Sequence, residues 1–121
     1  MSDKNTKSLA NNLHGSKHWL IQRITAILLV PLIIWFVFSL AFLSKSDYEN
    51  SINYIVFFPN TILFLLLIFV SFYHAQLGIQ VVIEDYISSE KVQSLLIFVI
   101  KSILNLLGLI AILSILKIAF I

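Results

Sequence analysis

Formal charge disappears from the chain in long stretches, and the segments between those stretches are polar. From Ile24 to Ser44, bracketed by Arg23 and Lys45, no residue is charged. About 20 mainly apolar residues are enough for a helix to cross a hydrocarbon layer about 30 Å thick, so this stretch predicts a transmembrane helix over about 20–43. Pro31 lies inside it, where it removes the backbone bond to the Ile27 carbonyl and favours a kink. A membrane helix tolerates this where neighbouring helices satisfy the freed group. Residues 44–53, with Lys45, Asp47 and Glu49, read as a short polar loop. The next charge after Glu49 is Glu84, and Pro59 suits the first turn of a helix, where its missing N–H costs nothing. A second helix is predicted over about 60–83. Residues 84–93, with Glu84, Asp85, Glu90 and Lys91, read as a second loop. A third helix is predicted over about 94–117, interrupted only by Lys101.

The pattern therefore predicts an all-α integral membrane protein with three transmembrane helices and a single membrane domain over residues 1–121. No internal repeat, low-complexity run or soluble domain is visible in it. Composition agrees. Apolar residues make up 60% of the chain and charged residues 12%, against roughly half and a quarter in soluble domains. A fold of this size has too much surface to hide that apolar mass from water, which leaves lipid as the solvent. There is no Cys, so disulfides, iron–sulfur ligation and a thiol nucleophile are excluded. The net charge of +2 is too small, and the positives too dispersed, for nucleic-acid binding. Residues 1–17 lack the short apolar core and cleavage site of a signal peptide, so the first span is expected to serve as the insertion signal.

With three spans, the N-terminal tail and the second loop share one side. That side collects Lys4, Lys7, Lys17, Arg23 and Lys91, with Lys101 within reach, whereas the other side has Lys45 and Lys117. The positive-inside bias places the N-terminus in the cytoplasm and the C-terminus outside.

Several residues could bear chemistry. His74 is the one titratable group inside the second span. It lies ten residues before Glu84, which at 1.5 Å per residue is about 15 Å, near the midplane. Ionisable groups there are costly and usually functional, and neutral imidazole is a common axial ligand of haem. A neutral His bonded to a neighbouring helix is the alternative, and one His cannot complete a bis-His site without another chain. Gly78, one turn on, would let a flat macrocycle approach. Asp85 and Tyr86 lie three turns beyond His74, about 20° off its face if the helix continues. A phenol can donate to a quinone carbonyl and a carboxylate can relay protons; equally, acids cap loops and Tyr sits in the interfacial belt. Arg23 could meet a carboxylate such as a haem propionate, or snorkel to the headgroups. Lys101 is expected to snorkel to the cytoplasmic face. Trp19 and Trp35 read as interfacial and packing aromatics, and Gly108 could admit a close helix approach.

Three segments carry a resemblance to a known family. His18-Trp19-Leu20-Ile21-Gln22-Arg23-Ile24-Thr25-Ala26 resembles the start of helix one in the hydrophobic membrane-anchor subunits of succinate dehydrogenase, the cytochrome b-type anchors of complex II, with their Arg-x-Thr/Ser-Ala core. Tyr73-His74-Ala75-Gln76-Leu77-Gly78, continued to Glu84-Asp85-Tyr86, resembles the family signature, a His-Ala-x-x-Gly turn followed by Asp-Tyr eleven residues after the His. Leu116-Lys117-Ile118-Ala119-Phe120 is similar to alphaproteobacterial members. By matching position, the resemblance implies that His74 is one axial ligand of haem b, the other coming from a partner anchor subunit. It implies that Tyr86 bonds a ubiquinone carbonyl beside Asp85, and that Arg23 meets a haem propionate or the quinone pocket. The expected partners are the flavoprotein, iron–sulfur and cytochrome b subunits of complex II, with lipid and ubiquinone. The expected location is a bacterial inner membrane, with the C-terminus periplasmic. Such a chain passes electrons from succinate to quinone in the respiratory chain and tricarboxylic acid cycle, without oxidising succinate itself. The alternatives are an anchor of a fumarate reductase-type complex and a cofactor-free small membrane protein.

Overall fold

The computed structural model describes the backbone from Ser2 to Ile121, and side chains at Thr6 and from Gly15 onward. The side chains of Lys4 and Lys7, two of the orienting positives, lie outside the described residues. Four helices follow in order: α1 (Ser2–Leu43), α2 (Tyr48–Val56), α3 (Phe58–Tyr86) and α4 (Glu90–Phe120). Three are long and apolar enough to cross a membrane: α1 from Gly15 on, α3 and α4. The described residues are helical apart from short connections, and no strand occurs among them.

All three long helices extend past the uncharged stretches that predict them. Loss of charge marks where a helix meets hydrocarbon, whereas the helix itself ends where its backbone bonds do. Glu84 to Tyr86 therefore continue α3, and α4 opens at Glu90. The second loop shrinks from ten residues to residues 87–89. Helix α1 runs through Pro31 without a break.

The larger correction concerns residues 44–53, whose polarity predicts a loop. Only residues 44–47 connect, and α2 begins at Tyr48. Its cap is conventional: the Asp47 carboxylate accepts from the Asn50 N–H at 2.8 Å. What holds α2 down is a set of bonds to the neighbouring helices. Ser39, 1% exposed, donates to the Trp35 carbonyl at 2.9 Å and lies 2.7 Å from the Tyr54 hydroxyl. Asn60 donates to the Tyr54 carbonyl at 2.9 Å, and Thr61 to the Ile55 carbonyl at 2.6 Å. Tyr54 also packs against Phe42 with ring centroids 4.8 Å apart.

Helices α1 and α3 share the buried centre. Leu29 and Leu32 meet Leu67 and Val70, with Phe36 and Leu63 at the margin. Trp35 stands edge-on to Phe64 at 4.8 Å, a packing role as expected. The third long helix is the most exposed, with 6% of its apolar window buried. It reaches α3 through Gly108, where an added Cβ would stand 3.3 Å from the Phe72 ring. That close approach is the one anticipated for Gly108.

The packing predicts that Gly108→Leu separates α3 from α4 and lowers the thermal unfolding temperature of the detergent-solubilised protein, while Gly108→Ala, which asks Phe72 to yield a few tenths of an ångström, lowers it far less. Unfolding temperatures that do not distinguish the two variants would contradict this.

Candidate functional site

Thr25 on α1 and His74 on α3 are 49 positions apart, and the helix pair brings Thr25 Oγ1 to 2.8 Å from His74 Nδ1. Thr25 is buried, and its hydroxyl also lies 2.9 Å from both the Ile21 and Gln22 carbonyls. Back-bonding of this kind is the usual arrangement for a threonine inside a helix. The hydroxyl has one proton to give. If it donates to a helix carbonyl, His74 Nδ1–H must donate to Thr25, and Nε2 is left with a bare lone pair. If it donates to Nδ1, the ring proton moves to Nε2. The first arrangement uses Thr25 as both donor and acceptor and leaves the Nε2 lone pair of the imidazole uncommitted.

One turn nearer the helix end, α1 and α3 diverge around a groove of about 650 Å³. His18, Trp19, Gln22 and Arg23 line it from α1, and Gly78, Gln80 and Glu84 from α3. His74 and Thr25 lie deeper than this lining. The space over Gly78 is not open: the Gln22 amide nitrogen stands 3.4 Å from where a Cβ on Gly78 would be. The other atom of that amide, Gln22 Oε1, is buried with no hydrogen-bond partner. Arg23, which also lines the groove, holds its guanidinium carbon 5.0 Å from the centre of the Trp19 ring, a cation–π contact.

The predicted site residues are thus divided. Arg23 is at the groove and His74 beneath it. Asp85 and Tyr86 complete the last turn of α3 and are exposed, Tyr86 at 85%. Neither lines the groove, and the acid that does is Glu84. Sequence reasoning gives no role to Thr25, Gln22, Gln80 or Glu84, although Gln22 and Thr25 flank Arg23 in the Arg-x-Thr segment. No spacing rule announces a contact between residues so far apart.

A second polar line runs between α3 and α4. Gln76 donates to Asn105 at 2.6 Å. Gln80 and Lys101 border a common cleft, and Lys101 is half-buried. Gln80 donates to Glu84 at 3.0 Å while its own Oε1 is buried without a partner. Gln93 donates to the Glu84 carbonyl at 3.2 Å and also to the Ile87 carbonyl, closing the turn. Among the described residues no three His, Cys, Asp or Glu side chains gather to hold a metal ion.

Comparison with known proteins places this geometry in context. Residues 4–114 match the family described as succinate dehydrogenase/fumarate reductase transmembrane subunit. The chain is 47% identical over 100 residues to the succinate dehydrogenase hydrophobic membrane anchor subunit of Rickettsia bellii, covering 81% of this chain and 76% of that one. It is 38% identical over 92 residues to the subunit of the same name from Rickettsia conorii, covering 72% and 70%. It is also similar to the succinate dehydrogenase membrane anchor subunit of Reclinomonas americana, 33% identical over 92 residues and covering 74% and 77%.

Thr25→Val is expected to leave the half-buried His74 Nδ1 without its partner, at a cost of about 1 kcal/mol, and so to lower the thermal unfolding temperature. Thr25→Ser keeps the hydroxyl and is expected to stay near wild type. Wild-type unfolding in Thr25→Val would show that the pair contributes nothing.

Proposed function

Since this chain belongs to the family of succinate dehydrogenase/fumarate reductase transmembrane subunits, we propose that it anchors a succinate:ubiquinone oxidoreductase in a bacterial inner membrane, supplies one axial ligand to a haem b shared with a partner anchor subunit, and forms part of a ubiquinone site. The single observation that carries the haem reading is the Thr25–His74 contact at 2.8 Å. A histidine whose Nδ1 is engaged by a buried hydroxyl can present Nε2, with its orientation and tautomer set, to an iron outside the helix pair. Only one such His is needed from this chain if the second ligand comes from the partner.

Bound haem supplies a one-electron carrier at the level of the membrane core. The protein's own residues do the holding. His74 Nε2 would ligate the iron, and Thr25 would fix the ring. Arg23, steadied on Trp19, would pair with a propionate or with the quinone pocket through its forked donors. Gln22 Oε1, buried and unpaired, fits an acceptor waiting for a donor that this chain alone does not provide.

Tyr86 would donate its phenol to a ubiquinone carbonyl, with Asp85 beside it in the proton network. Their exposure at the end of α3 fits a pocket whose other walls belong to the flavoprotein, iron–sulfur and cytochrome b subunits. Electrons from succinate would reach quinone at that face, the cytoplasmic one if the excess of Lys17, Arg23 and Lys91 over Lys45 and Lys117 sets the orientation. The family description spans both directions of turnover, so an anchor of a fumarate reductase is the second reading.

Two expectations test this. Haem content of the purified complex, assayed as the pyridine haemochrome, falls in His74→Ala while the chain still inserts; full haem content would refute the ligand role. Tyr86→Phe raises the apparent quinone requirement several-fold, the size expected for one lost hydrogen bond of about 1 kcal/mol. Succinate oxidation with a dye acceptor stays intact in that variant. Equal loss of both activities would point to faulty assembly instead.

A further inference from the structure

The end of the molecule opposite the Arg23–Glu84 groove carries a second open space. Helix α2 lies there beside the last turns of α4, with a cleft of about 830 Å³ between them. Sites for small molecules are usually about 300–1,000 Å³. Glu49, Ile52 and Asn53 line the cleft from α2, and Lys117, Ile118 and Ile121 from α4. The lining is mainly apolar yet bears one charge of each sign. Glu49 and Lys117 are exposed, and among the described residues neither side chain makes a hydrogen bond or an ion pair. Helix α2 is bonded to α1 and α3 through Tyr54, Asn60 and Thr61, whereas no hydrogen bond among the described residues joins it to α4.

The level of the cleft says what lies next to it. Lys45, Asp47 and Glu49 follow the uncharged stretch of α1, and Lys117 closes that of α4. The cleft therefore sits where hydrocarbon meets water. Tyr48, 82% exposed at its edge, is of the residue type concentrated at that boundary. The molecules that abut such a space in a bilayer are phospholipids, and a lysine at this level extends its ammonium among their headgroups.

We propose that this cleft binds a phosphatidylethanolamine-type lipid, with the phosphate on Lys117, the primary ammonium on Glu49 and an acyl chain over Ile52, Ile118 and Ile121. Charge selects this class. An anionic lipid would satisfy Lys117 but leave Glu49 unpaired beside a like charge, which counts against it. A phosphatidylcholine head carries the same two charges, but its quaternary nitrogen has no N–H to donate to the carboxylate. A phosphate joined to a primary ammonium answers both side chains. Exposed ion pairs are individually weak, so the selectivity is several-fold and not absolute. The bound lipid joins α2 to α4 where the protein has no bond of its own. The site involves neither haem nor quinone, so it stands or falls separately from those roles.

The test uses the intact complex, stripped of lipid in detergent and then given dioleoyl phosphatidylethanolamine, phosphatidylcholine or phosphatidylglycerol, with bound lipid counted by native mass spectrometry. The wild type is expected to hold phosphatidylethanolamine about fivefold better than either of the others. Lys117→Gln is expected to lower that retention about fivefold, and Glu49→Gln to lower it to the phosphatidylcholine level. Lys117→Arg keeps the cation and is expected to keep the lipid. Lys45→Gln removes a cation on the same side of the membrane but outside the cleft, and is expected to change nothing. Phosphatidylethanolamine is also expected to raise the thermal unfolding temperature of the wild type and not that of Lys117→Gln. Preference for phosphatidylglycerol, equal retention of all three lipids, or wild-type retention in Lys117→Gln and Glu49→Gln would overturn the site. Loss of retention in Lys45→Gln would overturn it too, since headgroups would then be drawn to this face as a whole. So would a partner subunit occupying the cleft in place of lipid.

Discussion

Inside a bilayer, water is absent and a polar side chain must find its partner on another helix. The pairing of Thr25 with His74 meets that demand at the centre of this fold, and much else follows from its register. It fixes α1 against α3, so that Leu29 and Leu32 fall against Leu67 and Val70. It also orders the levels above it, with Gln22 lying against Gly78 and Arg23 reaching the rim of the groove. Slipping either helix by a turn would leave the imidazole without its partner in hydrocarbon, whereas the Thr25 hydroxyl would keep the carbonyls of its own helix.

The same demand accounts for the polar contacts elsewhere. Ser39 and Tyr54 tie α2 to α1, and Gln76 and Asn105 tie α3 to α4. Apolar packing between helices does not select a register by itself in lipid, because lipid tails compete equally well for the same surfaces. Directional bonds and close approaches such as Gly108 on Phe72 supply the selection. Helix α4, exposed over most of its apolar length, is held to the pair by these few contacts.

The three spans are legible in the chain because absence of charge over about 20 residues has one ready explanation. Their ends are less legible, because Glu84 to Tyr86 and Glu90 to Gln93 are polar and helical together, and polarity reads as loop. Helix α2 escapes for the same reason. Its Asp47 cap is visible in the chain, but the contacts of Tyr54 with Ser39 and Phe42 that hold it down are not local. His74 stands out as a lone titratable group in an apolar helix, whereas nothing in the Arg-x-Thr motif says what Thr25 touches. Gln80 and Glu84 gain meaning only from the groove that they line together with α1. Spacing along one helix tells which residues share a face; it does not tell which helix that face meets.

The function proposed for this chain stands on His74 presenting a free Nε2 to a haem iron. A dithionite-reduced minus oxidised visible spectrum of the complex purified with its natural partners tests that most directly. Haem ligation by His74 predicts a sharp b-type band in the wild-type complex. A flat spectrum from an intact, quinone-reducing complex would contradict it, and would leave the Thr25–His74 pair as a bond that holds two helices in register and nothing more.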